Sequence, residues 1–253
     1  MPLDASGHEY ADHAPWVLTK RLSIGLLALT AVSGIVDAVS FLALGHIFTA
    51  NMTGNVAFLA FAAVGTPGIS VAGSITSLAA FLSGGVIGGY FWRGIADPMR
   101  SYWFRVSATC ESALLFAAAI VIALDGDSTA LQHRQYAVIV LLAVAMGLRN
   151  VTVRQLAVPD LTTTTVITMT LTGLVADLAL ADNRTSHSWR RVGSIASLFV
   201  GAAMGALLLR LGLGVPLIVA AVAVLAATAY TGPPWNLPIV GPPSSPGARG
   251  EKR

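Results

Sequence analysis

Between residues 22 and 230 the chain is a succession of apolar runs separated by short polar stretches. The runs cover about 22–44, 47–65, 70–92, 103–124, 136–157, 164–181, 192–210 and 214–230. Crossing the hydrocarbon of a bilayer takes about 20 helical residues at 1.5 Å each, so all eight are candidate crossings. The second and sixth are the weakest, because polar residues interrupt both near their starts. Before the first run, Met1–Thr19 is polar; after the last, Thr231 opens a proline- and glycine-rich tail that reads as extended and poorly ordered. Lys20 and Arg21 ahead of an apolar run, with Ala31-Val32-Ser33 inside it, loosely imitate a secretory signal. The run continues to Leu44, however, so it reads as a retained first helix. The pattern predicts an all-α, polytopic membrane bundle with a polar segment at 1–21, one membrane domain at 22–230 and a disordered tail at 231–253.

Sliding the chain on itself brings out two copies of one unit, about 22–124 and 136–230. Gly34-Ile-Val-Asp37 aligns with Gly147-Leu-Arg-Asn150 at an offset of 113 residues. Met52-Thr53 aligns with Met169-Thr170 at 117, and at the same offset Ser77–Arg93 aligns with Ser194–Arg210. Within that last pair Ser77/Ser194, Ala79/Ala196, Gly84/Gly201, Gly88/Gly205 and Arg93/Arg210 are identical. An ordered series of three matches predicts an internal duplication, the architecture of many transporters. Two topologies follow. Eight crossings make the repeats parallel, with roughly nine Lys/Arg inside, about four outside, and Arg93, Arg100 and Arg105 on the unfavoured side. If the second and sixth runs are re-entrant, six crossings make the repeats inverted and the count improves to about eleven against two. The charge rule favours six and segment length favours eight; both place the N-terminus in the cytoplasm.

What interrupts the apolar runs carries the chemistry. Asp37 lies deep in the first run, where insertion of an aspartate costs about 2.5–3.5 kcal/mol. Its helical neighbours Ser33, Gly34 and Ser40 are small or polar, which suits close helix contact. Asn51, Thr53 and Asn55 follow, with Gly54 among them; they read as a helix break lined with hydrogen-bonding groups or as an ordinary interfacial loop. In the second copy Arg149, Asn150 and Arg154 interrupt the fifth run, and a threonine-rich stretch follows Pro159-Asp160. Because Asp37 and Asn150 are repeat equivalents, pseudo-symmetry predicts that Asp37 meets Arg149 or Arg154. Glu111, in the fourth run, has no partner evident in the sequence and reads as a protonatable site or an acid facing the bundle. Gly84-x-x-x-Gly88 and Gly201-x-x-x-Gly205 read as close-packing surfaces. Trp92, Trp103 and Trp189 read as interfacial aromatics.

Composition narrows the class. Apolar residues make up 55% and charged residues 11% of 253 positions, and mean hydropathy is +0.74. Soluble domains carry about 25% charge, so a water-soluble or disordered chain is excluded. A net charge of +3 arises from short loops between apolar runs, a topological signal rather than a nucleic-acid footprint. The single cysteine, Cys110, excludes an intramolecular disulfide and reads as a packing residue. No P-loop and no zinc-helix histidine spacing is present, so no cofactor is implied.

Gly34-x-x-Asp37-Ala-x-Ser-Phe-x-x-Leu-Gly followed by Phe48-Thr-Ala-Asn51-Met-Thr-Gly-Asn55 resembles the signature of the YoaK-like family of bacterial integral membrane proteins. The resemblance covers about 20–230, with the proline-rich tail as an extension beyond it. It implies a multi-pass protein of the bacterial cytoplasmic membrane and carries no agreed substrate or reaction. The expected function is therefore a small-solute or ion transporter or channel, with a polar site at the interface of two repeats. Asp37 would be the coupling or substrate-binding charge, Asn51, Thr53 and Asn55 polar ligands, and Arg149 and Arg154 counter-charges, with Asn150 and Glu111 nearby. A structural or accessory subunit is the alternative; the expected partners are the lipid bilayer, a solute or ion, and further copies of the chain as a homo-oligomer, with no nucleic acid. An embedded enzyme needs a nucleophile–base pair or metal cluster that the spacing does not supply.

Overall fold

A computed structural model describes residues 15–93, 100–124, 131–156 and 185–231. Seven helices occupy them: α1 (Pro15–Ala43), α2 (Met52–Ala63), α3 (Val71–Arg93), α4 (Arg100–Ala123), α5 (Leu131–Leu156), α6 (Thr185–Leu208) and α7 (Val215–Tyr230). The sixth apolar run, 164–181, lies outside the described residues, as do most of the N-terminal segment and the tail beyond Thr231. α1 opens on a proline, where a missing N–H costs nothing, and so begins well before the Leu22 expected from hydropathy alone.

Four stretches are long and apolar enough to cross a membrane: Arg21–Ala43, Val71–Arg93, Tyr102–Ala123 and His133–Gln155. The apolar part of α6, Val192–Leu208, and α7 are shorter, and α2, at 12 residues, is shortest. Its length corresponds to about 18 Å, short of a bilayer's hydrocarbon.

Helix directions follow from contacts at their two ends. We call the end where α1 begins the base and the end where it finishes the tip. Gln135, near the start of α5, donates from Nε2 to the Leu44 carbonyl at 2.6 Å. Arg149, four turns later, reaches back to the Leu29 carbonyl and Ser33 of α1. α5 therefore starts at the tip and runs antiparallel to α1. Ser107 and Glu111 of α4 meet Thr152 and Arg149 of α5, so α4 rises from base to tip. Ser112 of α4 donates to the Ala221 carbonyl of α7, and Gly25 of α1 faces Ala227 and Thr231, so α7 descends to the base.

Two helix pairs run parallel in direct backbone contact. α1 and α6 meet where Gly34 lies against Leu198, Gly201 and Ala202, and Gly201 and Gly205 lie against Ala31, Ile35 and Ala38. α3 and α5 meet where Gly84 and Gly88 face Val144 and Leu148, and Gly147 faces Phe81 and Gly85. A Cβ on Gly34, Gly84, Gly147 or Gly201 would collide with a carbonyl of the opposite helix. Small residues permit this approach, and with it the dispersion contacts that hold helices together in lipid. The core between the pairs is built from Val32, Val36 and Val39 of α1, Leu115 of α4, Ile139, Leu142 and Met146 of α5, and Leu217 and Val224 of α7.

One expectation fails. Cys110 is exposed on α4 rather than packed. Trp103 is buried, 8% exposed, and stacks on Phe91 with ring centroids 5.6 Å apart, because α3 and α4 bring those two helix ends together.

Candidate functional site

The site begins where α1 ends. Gly45 (φ 90°) and His46 (φ 58°) take left-handed backbone, which reverses the chain. Residues 47–51 then fold back along α1. As a result the amides of Thr49, Ala50 and Asn51 donate to one oxygen, Asp37 Oδ1, at 3.2, 2.8 and 3.4 Å. Asp37 lies six residues before the end of α1, about 9 Å inside the bundle. α2 starts at that depth, with the Asp37 carboxylate beside its positive N-terminal end, an arrangement favoured by the helix dipole.

From there α2 returns to the tip. Phe58, in its second turn, lies 6.1 Å from Phe41 in the last turn of α1 and 5.6 Å from Phe48. Asn55 braces the turn from inside. Its Oδ1 accepts the Phe48 amide at 2.9 Å, and its Nδ2 donates to the Phe48 carbonyl at 2.6 Å and to Ser77 Oγ at 3.2 Å. Ser77 of α3 donates to the same Phe48 carbonyl at 2.7 Å. Every polar group of residue 48 is thereby satisfied without water, as irregular backbone buried in a membrane protein requires. Ser70 caps α3 by accepting the Gly73 amide at 3.0 Å, and α3 leaves from the tip.

A second polar cluster lies deeper on the same face of α1. Arg149 Nε donates to Glu111 Oε1 and Oε2 at 2.9 and 3.0 Å, and Nη2 forms a salt bridge with Oε1. Nη1 donates to the Leu29 carbonyl at 2.6 Å and to Ser33 Oγ at 2.7 Å. The side chains are 6% and 2% exposed. Beside them Ser107 and Thr152 share a hydrogen bond of 2.8 Å. A cavity of about 10 Å³ lined by Phe104, Ser107, Glu111, Arg149 and Thr152 has room for about one water. Ser33 lies one turn before Asp37, so α1 carries both clusters on one stripe.

This geometry corrects the expected pairing. Arg149 of α5 is salt-bridged to Glu111 of α4, which faces it; Asp37, one turn along α1 from the Ser33 that Arg149 also holds, is near enough to feel its charge but forms no ion pair with it among the described residues. Arg154 lies exposed near the base end of α5, several turns from Asp37. Asn150 donates to the carbonyl of its own helix at Met146, 2.8 Å away. Asn55 is buried, whereas Asn51 and Thr53 are exposed at the start of α2. Sequence reasoning missed Gln135, Thr49, the Leu29 carbonyl and the bracing role of Ser77. Ser77 carried a signal, a hydroxyl in an apolar helix that recurs at Ser194; the others became meaningful only once the chain was folded.

The chain matches, over residues 25–231, a family described as "Protein of unknown function (DUF1275)". It is also 30% identical over 156 residues to the "UPF0700 transmembrane protein YoaK" of Bacillus subtilis (strain 168), a match covering 62% of this chain and 66% of that protein, just under two thirds of its length. No solved structure matches. With four helices long and apolar enough to span a bilayer and a family match over most of its length, this chain is a multi-pass membrane protein belonging to the DUF1275 family.

Proposed function

We propose that the protein moves a small solute or ion across the bacterial cytoplasmic membrane through two inverted repeats, with the α1–α2 break as its substrate or coupling site. The observation that carries this reading is the antiparallel crossing of α1 and α5. In a parallel duplication these two repeat equivalents run the same way; here they run oppositely, and α2 starts inside the bundle and returns to the tip. Reciprocal packing supports the duplication. Gly34 of α1 meets Gly201 of α6, and its equivalent Gly147 of α5 meets the Gly84 region of α3, equivalent to Gly201. Six crossings follow, with, among the described residues, Lys20, Arg21, Arg93, Arg100, Arg105, Arg154, Arg190 and Arg191 toward the base and Arg134 and Arg210 toward the tip. That asymmetry supports a base, and with it an N-terminus, on the cytoplasmic side. Discontinuous helices at the interface of inverted repeats hold substrates and ions in many transporters.

In this reading Asp37 is the site's charge and Asn51 its most accessible polar ligand, while Asn55 and Ser77 keep the turn in shape. Arg149 and Glu111 form a neutral pair that ties α1, α4 and α5 together near it. The protein is not a catalyst in this reading. A second reading, a structural or accessory subunit, draws on the size of the cavity, which is too small for a solute, and on the number of polar groups already bonded within the protein.

Reconstitution into proteoliposomes tests the first reading. Counterflow of a panel of small solutes and ions is expected for the intact protein and is expected to fall at least tenfold in Asp37→Asn and Asn51→Ala. Transport unaffected by both substitutions contradicts the proposed site. Absence of transport together with co-purification of a stoichiometric membrane partner favours the accessory reading.

A further inference from the structure

Thr49 is where the turn first touches Asp37, and its two polar groups have different fates. The amide donates to Asp37 Oδ1 at 3.2 Å. The hydroxyl, on a fully buried residue, has no hydrogen-bond partner among the described residues. A buried hydroxyl without a partner is rare and destabilising, and in native proteins it points to a bound water or ion. Since both groups belong to one residue, the hydroxyl is within a residue's reach of the carboxylate.

The chemistry around that hydroxyl selects the ligand. An anion is disfavoured because the three amides that would bind it already hold Asp37. Asp37 makes no salt bridge among the described residues, since the nearest buried cation, Arg149, is committed to Glu111. Its second oxygen, Oδ2, takes none of the turn's amides. What remains is a carboxylate oxygen and a hydroxyl, with no imidazole or thiolate between them. An all-oxygen set suits a hard cation rather than a transition metal. A carboxylate without an ion pair among the described residues, inside a membrane bundle, suits one positive charge.

We propose that Asp37 and Thr49 hold a monovalent cation of sodium's class at the α1–α2 break. The proposal deepens the transport reading by naming its coupling ion, and rests on that reading for the ion's purpose; binding itself is measured without transport. The full-length protein in detergent is heated in sodium chloride and in choline chloride of equal ionic strength, alongside Thr49→Val and Thr49→Ser. Sodium is expected to raise the unfolding temperature of the intact protein by about 3–6 °C, as a ligand that binds only the folded state does. Thr49→Val removes no hydrogen bond, so it is expected to fold and to lose the sodium shift, whereas Thr49→Ser keeps it. Equal unfolding temperatures in the two salts overturn the proposal. So does a full sodium shift in Thr49→Val, or a shift produced by divalent cations and not by sodium. A protein that shows the sodium shift but transports nothing retains the ion site and loses the transport reading; one that transports without any sodium shift does the reverse.

Discussion

Arg149 and Glu111 show how much one pair decides inside a bundle. Two opposite charges that share hydrogen bonds and also engage Ser33 and a backbone carbonyl neutralise each other where neither would be tolerated alone. Removing one partner leaves the other buried and uncompensated, at a cost of about 3–5 kcal/mol. Arg149→Gln and Glu111→Gln are each expected to lose that much stability in denaturant unfolding, and Arg149→Met combined with Glu111→Leu to lose less than either. A double variant as damaged as both singles together would refute the pairing. Asp37 plays a different part, with one oxygen holding three amides. Asp37→Asn weakens these charge-assisted bonds, each worth roughly 1.5–3 kcal/mol. The amides of Thr49, Ala50 and Asn51 are then expected to exchange hydrogen at least ten times faster, as amide exchange resolved by mass spectrometry or NMR would report; unchanged exchange would mean that the turn holds itself. That Asp37 mattered was legible, because an acid within an apolar run needs a reason. Its partners were not legible, because Glu111 and Arg149 stand 38 residues apart and only the approach of α4 to α5 chooses between them.

Among the helices, the short one and the glycine-rich ones differ in what sequence could say of them. The polar interruption before α2 was visible, and so was its uncertain length. Its direction was not, because a helix of 12 residues has the same composition whether it descends or returns. The left-handed pair Gly45-His46 and the carboxylate of Asp37 set that direction, and both act through contacts rather than pattern. The glycine stripes were legible as packing surfaces, but not their partners. The structure joins each to a helix from the other half of the chain. At Gly34 and Gly147 an added side chain meets a carbonyl of the facing helix. Gly34→Leu and Gly147→Leu are therefore each expected to cost about 1–3 kcal/mol or more through overpacking. Gly89, with open space where its Cβ would be, tolerates alanine without loss. Thermal unfolding of the three variants in one detergent checks the contrast; equal stability of all three would argue against both helix contacts.

At the scale of the molecule, composition alone placed the chain in a bilayer, and the family match over residues 25–231 agrees with that assignment. Charge and length pulled the number of crossings in opposite directions, because each reads one segment at a time. The contacts of Gln135 with Leu44 and of Arg149 with Leu29 and Ser33 supply what neither has, the relative direction of two distant helices. An α1 and an α5 that run oppositely require α2 to leave and re-enter the same face of the membrane, and the proposed inverted repeats depend on that turn. Cysteine labelling in intact cells tests it most directly. In a Cys110→Ser background, His46→Cys and Thr66→Cys flank the re-entrant segment, and Arg93→Cys marks the far end of α3. A membrane-impermeant thiol reagent is expected to reach His46→Cys and Thr66→Cys from the same side and Arg93→Cys only from the other; labelling of His46→Cys and Thr66→Cys from opposite sides would rule out the re-entrant turn.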